Sequence, residues 1–510
     1  MTDKKEIIGI DLGTTFSAIA RITEGCKSEI VPNQEGDNIT PSVVEFVDKE
    51  TVVVGRSAKD SIGVNDDNIR KEVKRDMDKD DVTYEHFGLT HTPVTISSLI
   101  LQKLKKDFEA NEAHGEICTV VVTYPANFTN EARENTVKAA KKAGLEVEYL
   151  IEEPNAAALA YAAQSGKELH GRYGIYDLGG GTFDFTIATI DGQNVDINTS
   201  YGVQELGGKD FDKVIFDIVS AKYTEKTGKE IDPQEFTSND AEDLKKRLTS
   251  RDKADARVSG EVVSVTREEF ETKSSNLISQ AENAISAAMD AIDIKPSDIN
   301  DVILVGGSSR MPMVTQSLKG VFDKDPVSFG NPDELVALGA ALYAAYKSDS
   351  RDLNPLQRNA VGAMRIGTVA PYFFGKIQVD TKGSDNPDDW TDIVTTVIKK
   401  DSKLPIERTI SGFTLHDNQT GIDCRVTQSL AELEDPTMVR VIWEGTLEVP
   451  GGNPAGMEIL TTYAYSEDGR MRCKFEDVQS GTTKDVDLTI GQGAPSPVED
   501  DIDNDKFTIE

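Results

Sequence analysis

The pattern that organises the chain occurs twice, as Ile8-Gly9-Ile10-Asp11-Leu12-Gly13-Thr14-Thr15 and as Ile175-Tyr176-Asp177-Leu178-Gly179-Gly180-Gly181-Thr182. In each copy an apolar run ends in an aspartate, and a glycine bend with a threonine hydroxyl follows. Glycine lets the backbone come close to a ligand, and the N–H groups of such a bend form an anion-binding nest. An aspartate carboxylate is a hard oxygen ligand that can hold Mg²⁺ directly or through water. The pattern therefore predicts a phosphate and metal site at each bend.

The repetition of the pattern carries more weight than either copy. A single strand that ends in Asp-x-Gly is more often just an ordinary β-turn. Two copies, each at the start of an α/β unit, predict a duplicated fold whose two hairpins grip a phosphate chain from opposite sides. A third glycine bend is Ile303-Leu304-Val305-Gly306-Gly307-Ser308-Ser309-Arg310. Neither a P-loop nor a Gly-x-Gly-x-x-Gly pattern is present, which disfavours those nucleotide-binding folds.

The chain is long enough for about three domains, at ~100–200 residues per domain. Short β-branched runs alternate with helical stretches up to Tyr346, which is typical of α/β architecture. Strand signals and turn residues dominate the later part, which predicts an antiparallel β-sandwich. We predict four segments: an α/β domain over 1–350, a linker over 351–370, a β-sandwich over 371–490 and an acidic disordered tail over 491–510.

The charge of the chain limits its partners. Lys and Arg total 55 and Asp and Glu total 89, a formal net charge of −34. A surface this acidic repels phosphate backbones and anionic lipids, so we expect no binding to nucleic acid or membranes. Four scattered cysteines predict neither a disulfide framework nor a zinc site. The first residues lack the apolar run of a secretion signal, and we expect a cytoplasmic protein.

In their order and spacing, the three bends resemble those of the actin-like ATPases and, more closely, of the heat shock protein 70 chaperones of the DnaK type. Further stretches that resemble this family are Asn33-Gln34-Glu35-Gly36, Val122-Thr123-Tyr124-Pro125-Ala126, Gly207-Gly208-Lys209-Asp210-Phe211-Asp212 and Asn331-Pro332-Asp333-Glu334. The resemblance covers nearly all of residues 7–346 and is weaker in the β region. It implies a two-lobed actin-like ATPase domain followed by a β-sandwich that binds substrate.

The resemblance also implies roles for particular residues. Two aspartates would orient Mg²⁺, namely Asp11 and Asp177. The implied catalytic residues are Lys74, Glu153, Asp177, Thr182 and Asp184. The implied contacts to ATP or ADP are Gly13, Thr14, Thr15, Gly179, Gly180, Gly181, Gly207, Gly208, Glu242, Lys245, Thr249, Gly306, Gly307, Ser308, Arg310 and Asp333.

Several of these residues have ordinary structural explanations as well. Lys74 lies in a run of charges and could be a solvated lysine. Glu153 could be a carboxylate that interacts with a helix dipole, and Asp184 could be a surface residue of a strand. Glu242, Lys245 and Thr249 lie at i, i+3 and i+7 of a predicted helix and hence on one face.

By resemblance, the chain is an ATP-dependent chaperone whose nucleotide state controls the binding of unfolded or extended apolar polypeptide. A J-domain co-chaperone and a nucleotide exchange factor are implied as partners. The peptide cleft would lie near residues 397–404, Phe413 and residues 422–426, although these apolar side chains could simply fill the sandwich core. The linker-like stretch 363–367 contains Arg365 and no acidic residue, and about twenty residues follow Ile490, so we expect a member without a helical lid.

Two other functions remain open from the sequence. An actin-fold kinase that acts on a small molecule would need a carboxylate to activate its acceptor, and it leaves the β region unexplained. A nucleotide-gated scaffold would bind ATP and a dedicated partner with negligible hydrolysis.

Overall fold

The protein is described here by a computed structural model. It describes residues 5–79, 81–110, 115–126, 128–232, 234–384, 386–467, 469–488 and 507–509. These residues form a mixed α/β structure with several sheets and two compact units. The first unit holds the described residues up to Ile366 together with residues 507–509, and the second holds the described residues from Gly367 to 488.

The strands up to the unit boundary are β1 (Lys5–Asp11), β2 (Phe16–Ile22), β3 (Ser28–Val31), β4 (Thr40–Pro41), β5 (Val43–Phe46), β6 (Thr51–Val54), β7 (Ile69–Lys71), β8 (Tyr84–His86), β9 (Leu89–His91), β10 (Glu116–Tyr124), β11 (Val147–Glu152), β12 (His170–Leu178), β13 (Phe183–Asp191), β14 (Asn194–Val203), β15 (Lys253–Val258), β16 (Glu261–Thr266), β17 (Asp301–Val305), β18 (Val327–Ser328) and β19 (Arg365–Gly367).

The helices are α1 (Arg56–Asp60), α2 (Pro93–Glu109), α3 (Asn130–Lys142), α4 (Glu153–Gln164), α5 (Gly208–Thr227), α6 (Ser238–Ser250), α7 (Arg267–Lys273), α8 (Ser275–Ala291), α9 (Pro312–Phe322), α10 (Leu335–Lys347) and α11 (Pro355–Gly362).

Two sheets of the first unit repeat one arrangement. One has the strand order β11-β10-β1-β2-β3, and the other has the order β18-β17-β12-β13-β14-β19. In each, a central strand pairs in parallel on one side, β1 with β10 and β12 with β17. On the other side each central strand forms an antiparallel hairpin, β1 with β2 and β12 with β13. The two aspartate-tipped bends therefore occupy equivalent positions, at the ends of β1 and β12.

Helix α10 packs closely against β1 and α4 because two glycines leave no side chain in the way. A Cβ atom on Gly339 of α10 would collide with the backbone oxygen of Ala156 in α4. A Cβ atom on Gly9 of β1 would collide with the backbone of α10 at Ala340 and Ala341. The Ala-rich composition predicts this buried helix, and α10 is buried along most of its length.

Local sequence signals explain where α3 begins and ends. Thr129 caps α3, since its hydroxyl accepts the N–H of Ala132 at 3.2 Å, and Gly144 beyond the helix has a φ of +72°. The long amphipathic stretch 268–291 contains two helices, α7 and α8, which are separated at Ser274. That residue is fully buried, and its backbone oxygen accepts the N–H groups of the next turn.

The stretch 351–370, which the sequence assigns to a linker, contains helix α11 and strand β19. Asn354 caps α11 through bonds to the N–H groups of Leu356 and Gln357, at 2.9 and 3.0 Å. Strand β19, which includes Arg365, lies at the edge of the sheet beside β14. The boundary between the two units, at Ile366 and Gly367, falls inside this stretch.

The second unit contains β20 (Phe373–Asp380), β21 (Thr391–Ile398), β22 (Ile406–Phe413), β23 (Gly421–Ser429), β24 (Arg440–Glu448), β25 (Glu458–Tyr465), β26 (Met471–Asp477) and β27 (Thr483–Asp487). They form two antiparallel sheets with the orders β21-β20-β23-β24 and β22-β25-β26-β27. Buried residues of both sheets share one core, in which the ring of Phe374 lies 5.3 Å from that of Tyr465. The hydroxyl of Tyr463 in β25 donates to the backbone oxygen of Gly375 in β20, at 3.0 Å.

The prediction of a disordered tail over 491–510 is wrong for residues 507–509. Residues 491–506 lie outside the described residues. Residues Thr508–Ile509 form strand β28, which pairs in parallel with β6 of the first unit. The apolar pair Phe507 and Ile509 explains the error, because both side chains pack against the core of that unit.

Among the described residues, the helices are too short or too polar to cross a lipid bilayer. The four cysteines, all within this part of the chain, are free thiols.

We predict that Gly339→Ala destabilises the protein by about 1–3 kcal/mol, since the added methyl group overpacks a site bounded by backbone. The matched control is Gly320→Ala in α9, where a Cβ atom would meet open space. Alanine there should leave stability unchanged or raise it by about 0.5–1 kcal/mol, because it is the better helix former. Thermal unfolding midpoints of the two variants measure the difference, and equal midpoints would show that the α10 contact is not close-packed.

Candidate functional site

A cavity of about 410 Å³ in the first unit is lined by all three glycine bends. Its lining consists of residues of the three bends, carboxylates, lysines and Pro332, which lies near the third bend. The cavity lies where β1, β12 and β17 end, so the carboxyl ends of these strands converge on it.

The first bend is fixed by hydroxyl groups. Ser42 donates to the backbone oxygen of Gly13 at 2.8 Å, and Ser17 accepts the N–H of Gly13 at 3.2 Å. The two serine hydroxyls are themselves 2.9 Å apart. This arrangement leaves Thr14 and Thr15 on the cavity wall.

The second bend lies directly against the first. A Cβ atom on Gly180 would collide with the hydroxyl of Thr15, and one on Gly181 would lie 2.7 Å from the hydroxyl of Thr14. Any side chain larger than hydrogen at these positions would push the two bends apart. Arg75 holds the second bend from behind, because its guanidinium donates to the backbone oxygen of Gly181 and pairs with Asp210 at 2.8 Å.

The third bend brings a short, positively charged segment to the same cavity. Gly306 has a φ of +76°, and a Cβ atom there would collide with the backbone of Leu178 in β12. Arg310 forms an ion pair with Asp333 at 3.0 Å. Ser308 lies close to Gly208. A Cβ atom on Gly208 would collide with the hydroxyl of Ser308.

Buried carboxylates crowd the inner end of the cavity. Burial raises the pKa of Asp11 to about 7, with Glu153 adding to the rise and Lys74 opposing it. Burial followed by Glu153 raises the pKa of Asp177 and that of Asp184 well above the ordinary value. Lys74 is buried and donates to the Oε1 atom of Glu153. Four acidic groups thus share one ammonium group among the described residues of this cluster.

This donor set fits a divalent cation. The Oδ1 atom of Asp184 is buried and has no hydrogen-bond partner within the described part of the chain. Crowded acidic groups with raised pKa values become stable as anions when a cation arrives, because its charge reverses the local electrostatic cost. Among the described residues no cluster of three or more His, Cys, Asp or Glu side chains has the geometry of a direct metal cage.

One face of α6 forms the opposite wall. Glu242, Lys245 and Thr249 all line the cavity, as the helical spacing predicts. Lys245 pairs with Asp212 at 2.7 Å and donates to the backbone oxygen of Gly208 at 2.8 Å.

Glu242 on α6 also forms ion pairs with a lysine of α1 and a lysine of α6. Lys59 and Lys246 both pair with Glu242, the second at 2.8 Å. The two ammonium groups lie 4.7 and 5.7 Å from the centre of the Phe16 ring. Although burial opposes it, these lysines lower the pKa of Glu242 to about 2.

The structure brings most of the predicted site residues to the cavity wall. Those that line it are Asp11, Gly13, Thr14, Thr15, Lys74, Glu153, Asp177, Gly179, Gly180, Thr182, Gly208, Glu242, Lys245, Thr249, Gly306, Gly307, Ser308, Arg310 and Asp333. Three lie behind the wall rather than on it, namely Gly181, Asp184 and Gly207. The interpretations of Lys74 as a solvated lysine and of Asp184 as a surface residue are wrong, since both are buried.

Eight lining residues were not among the predicted site residues, namely Phe16, Ile39, Lys209, Asp212, Lys246, Met311, Pro332 and Val336. Phe16 follows the first bend directly, and a single phenylalanine at the start of a strand gives no sequence signal of a binding role. Lys246 sits beside two predicted residues on α6, so the helical spacing could have found it. Lys59 does not line the cavity but forms an ion pair with Glu242, which does. No local sequence pattern indicates this role of Lys59.

The apolar residues predicted for a peptide cleft divide by exposure in the second unit. Val397, Ile398 and Val426 are buried in its core, which supports their structural explanation. Phe413 is 62% exposed, and Ile422 is partly buried. Of this predicted set, Phe413 is the side chain most available to a ligand.

Comparison with known proteins adds independent information. The family described as Hsp70 protein matches the chain over residues 7–85 and 73–506. Chaperone protein DnaK of Thermotoga neapolitana is 34% identical over 509 residues, covering 96% of this chain and 81% of that protein. Chaperone protein DnaK of Thermosipho africanus is 34% identical over 522 residues, covering 98% of this chain and 82% of that protein.

We predict that Glu242→Gln lowers stability in a pH-dependent way. The lowered pKa of Glu242 means that its stabilisation is present above the unfolded pKa of 4.5 and is lost as the pH falls toward about 2. The shift corresponds to about 3 kcal/mol at pH 7 and about 2 kcal/mol at pH 3.5, by linkage. Unfolding of the parent and the variant across this range measures the effect.

The control for this experiment is Glu261→Gln. Glu261 pairs with Lys226 on the surface, where both side chains are about half exposed. Such a pair contributes about 0–1 kcal/mol. A loss at Glu242 that is no larger than the loss at Glu261, or that grows as the pH falls, would contradict the buried ion cluster.

Proposed function

The chain belongs to the Hsp70 family, and on this premise we propose how its two units divide the work of an ATP-dependent chaperone of the DnaK type. It is an ATPase whose cofactors are ATP or ADP and Mg²⁺, and its clients are unfolded polypeptides. The observation that carries the proposal is the pair of glycine bends that face each other across a cavity with buried carboxylates.

In this proposal the first unit is a two-lobed actin-like ATPase domain over 1–350, and the second is a β-sandwich substrate-binding domain over 371–490. The repeated sheet arrangement around β1 and β12 supports the first assignment. The shared core of two antiparallel sheets supports the second. Residues 351–370 connect them and contain α11 and β19.

The phosphates of ATP would lie between the first and second bends. The backbone N–H of Gly180 and the hydroxyls of Thr14, Thr15 and Thr182 provide donors for phosphate oxygen, as expected for an anion-binding nest. Gly13 and Gly179 shape the two bends, since their N–H groups donate to the hydroxyl of Ser17 and to the backbone oxygen of Thr182. Gly181 and Gly207 act from behind the wall, because they let the bends and the start of α5 approach each other. Substituting either would displace the groups that contact the ligand.

The fixed charges near the carboxylate cluster suit hydrolysis of the terminal phosphate. Mg²⁺, held by Asp11 and Asp177, would supply the positive charge that neutralises the phosphate oxygens. Lys74 is anchored by Glu153, so its ammonium group is held in place to orient the attacking water toward the phosphorus. Asp184 has an unsatisfied oxygen that can accept a hydrogen bond from water. Catalysis of this kind is mostly positioning and charge stabilisation.

The nucleoside would lie between α6 and the third bend. Glu242, Lys245 and Thr249 form one wall. Gly306, Gly307 and Ser308 form the other, with Arg310 held by Asp333. A Cβ atom on Gly307 would lie 2.6 Å from the Oδ1 atom of Asp333, so this bend also requires glycine to pack against its partner.

Local cations matter in this chain because its net charge of −34 opposes the approach of a polyanion. Lys74, Lys245 and Lys246 line the cavity and offset part of that repulsion. A J-domain co-chaperone, a nucleotide exchange factor and a cytoplasmic location remain predictions from the resemblance and composition.

We predict that Lys74→Ala lowers the rate of ATP hydrolysis by about 10²-fold or more, because charge stabilisation in a transition state is typically worth that much. The affinity for ATP should change little. The variant should therefore keep an extended apolar peptide in its weakly bound, ATP-dependent state. Single-turnover ADP formation and fluorescence anisotropy of a labelled peptide, each with and without ATP, measure the two effects in the full chain.

The control variant is Lys79→Ala, since Lys79 is exposed and pairs with Asp76 on the surface. It should hydrolyse ATP at the parent rate. Parent-like turnover in Lys74→Ala would overturn the role of Lys74. A parent chain that binds ATP without turnover would favour the scaffold, and turnover that requires a small-molecule acceptor would favour the kinase.

A further inference from the structure

The last described residues return to the first unit and complete one of its sheets. That sheet has the strand order β28-β6-β5-β7, so β28 covers the outer edge of β6. Thr508 pairs with Thr51, and Ile509 pairs with Val52, in parallel register. The N–H of Thr508 donates to the backbone oxygen of Glu50 at 2.7 Å.

Side chains as well as backbone hydrogen bonds hold this strand in place. Phe507 is buried and belongs to the core cluster of the first unit, and Ile509 packs partly against it. The Phe507 ring lies 6.1 Å from that of Phe46 and 6.0 Å from that of His91. Thr508 between them is exposed, so the segment alternates inward, outward and inward as a strand must.

The receiving surface is built independently of the segment. Phe46 stacks on His86 with ring centres 4.3 Å apart and on His91 with ring centres 4.4 Å apart. Burial lowers the pKa of His86 to about 4, so this ring is uncharged at neutral pH. The edge of β6 beside this aromatic group offers backbone hydrogen-bonding groups that a further strand can pair with.

We propose that the edge of β6 and the aromatic pocket of Phe46 and His91 form a peptide-binding site in the first unit, and that residues 507–509 of this chain are its ligand. Strand addition of this kind takes affinity from backbone bonds and specificity from pockets for alternate side chains. The site therefore selects an extended segment with an aromatic residue, any exposed residue and then an aliphatic residue. The segment lies beyond the stretch matched to the Hsp70 family, which ends at residue 506.

The chain leaves the first unit at Ile366 and, after the second unit, binds it again at Phe507. An intramolecular segment competes with a free peptide at a high effective concentration. A free copy of the segment should therefore bind weakly to the parent and tightly to a chain whose own segment cannot dock.

The test uses a fluorescently labelled peptide with the sequence of residues 503–510 and three full-length proteins. Thr508→Pro removes the N–H that donates to Glu50 and prevents docking of the internal segment. Thr508→Ala changes an exposed side chain and keeps that N–H, so it is the matched control. We expect the peptide to bind the Thr508→Pro protein at least about 10-fold more tightly than the parent or the Thr508→Ala protein.

Two further measurements separate this site from the peptide-binding unit. A peptide with Phe507→Ala should lose at least about 10-fold in affinity, since the ring fills the pocket. Hydrogen exchange at residues 51–54 should be faster in the Thr508→Pro protein and should slow when the peptide is added. Equal binding to all three proteins, equal binding of the Phe507→Ala peptide, or unchanged exchange at β6 would each overturn the proposal.

Discussion

The contact between two glycines and two threonines sets the geometry of the site. Gly180 and Gly181 of the second bend lie against Thr15 and Thr14 of the first, with no room for a larger side chain. This contact brings together strands that are more than 160 residues apart in sequence. The cavity, its donors and its carboxylates all depend on that approach, because each bend supplies only half of the wall.

The approach of the two bends also brings several carboxylates close together. Asp177 and Asp184 are buried and Asp11 is partly buried, all three have raised pKa values, and Lys74 is the ammonium group that they share with Glu153. Such a cluster is unfavourable as a set of unpaired anions and becomes favourable around a cation. The same groups are therefore suited to a ligand that brings a cation, as expected of a functional site.

The chemistry of the bends could be predicted from sequence because it is local. An aspartate at a strand end, a glycine turn and a hydroxyl are adjacent residues, and the helical spacing placed Glu242 and Lys245 on one face. The cross-chain partners could not be predicted in this way. Lys59 reaches Glu242 from 183 residues away, and Phe507 packs on Phe46 at the far end of the chain. Such pairings follow from tertiary packing and leave no periodic signal.

A crystal structure of the chain with Mg²⁺ and a non-hydrolysable ATP analogue would show whether the two bends hold the phosphates together. We expect phosphates between Thr14, Thr15 and Gly180, with the metal on the side of Asp11 and Asp177. Phosphate density elsewhere in the first unit, or a separation of the two bends that leaves the ligand on only one of them, would contradict this expectation.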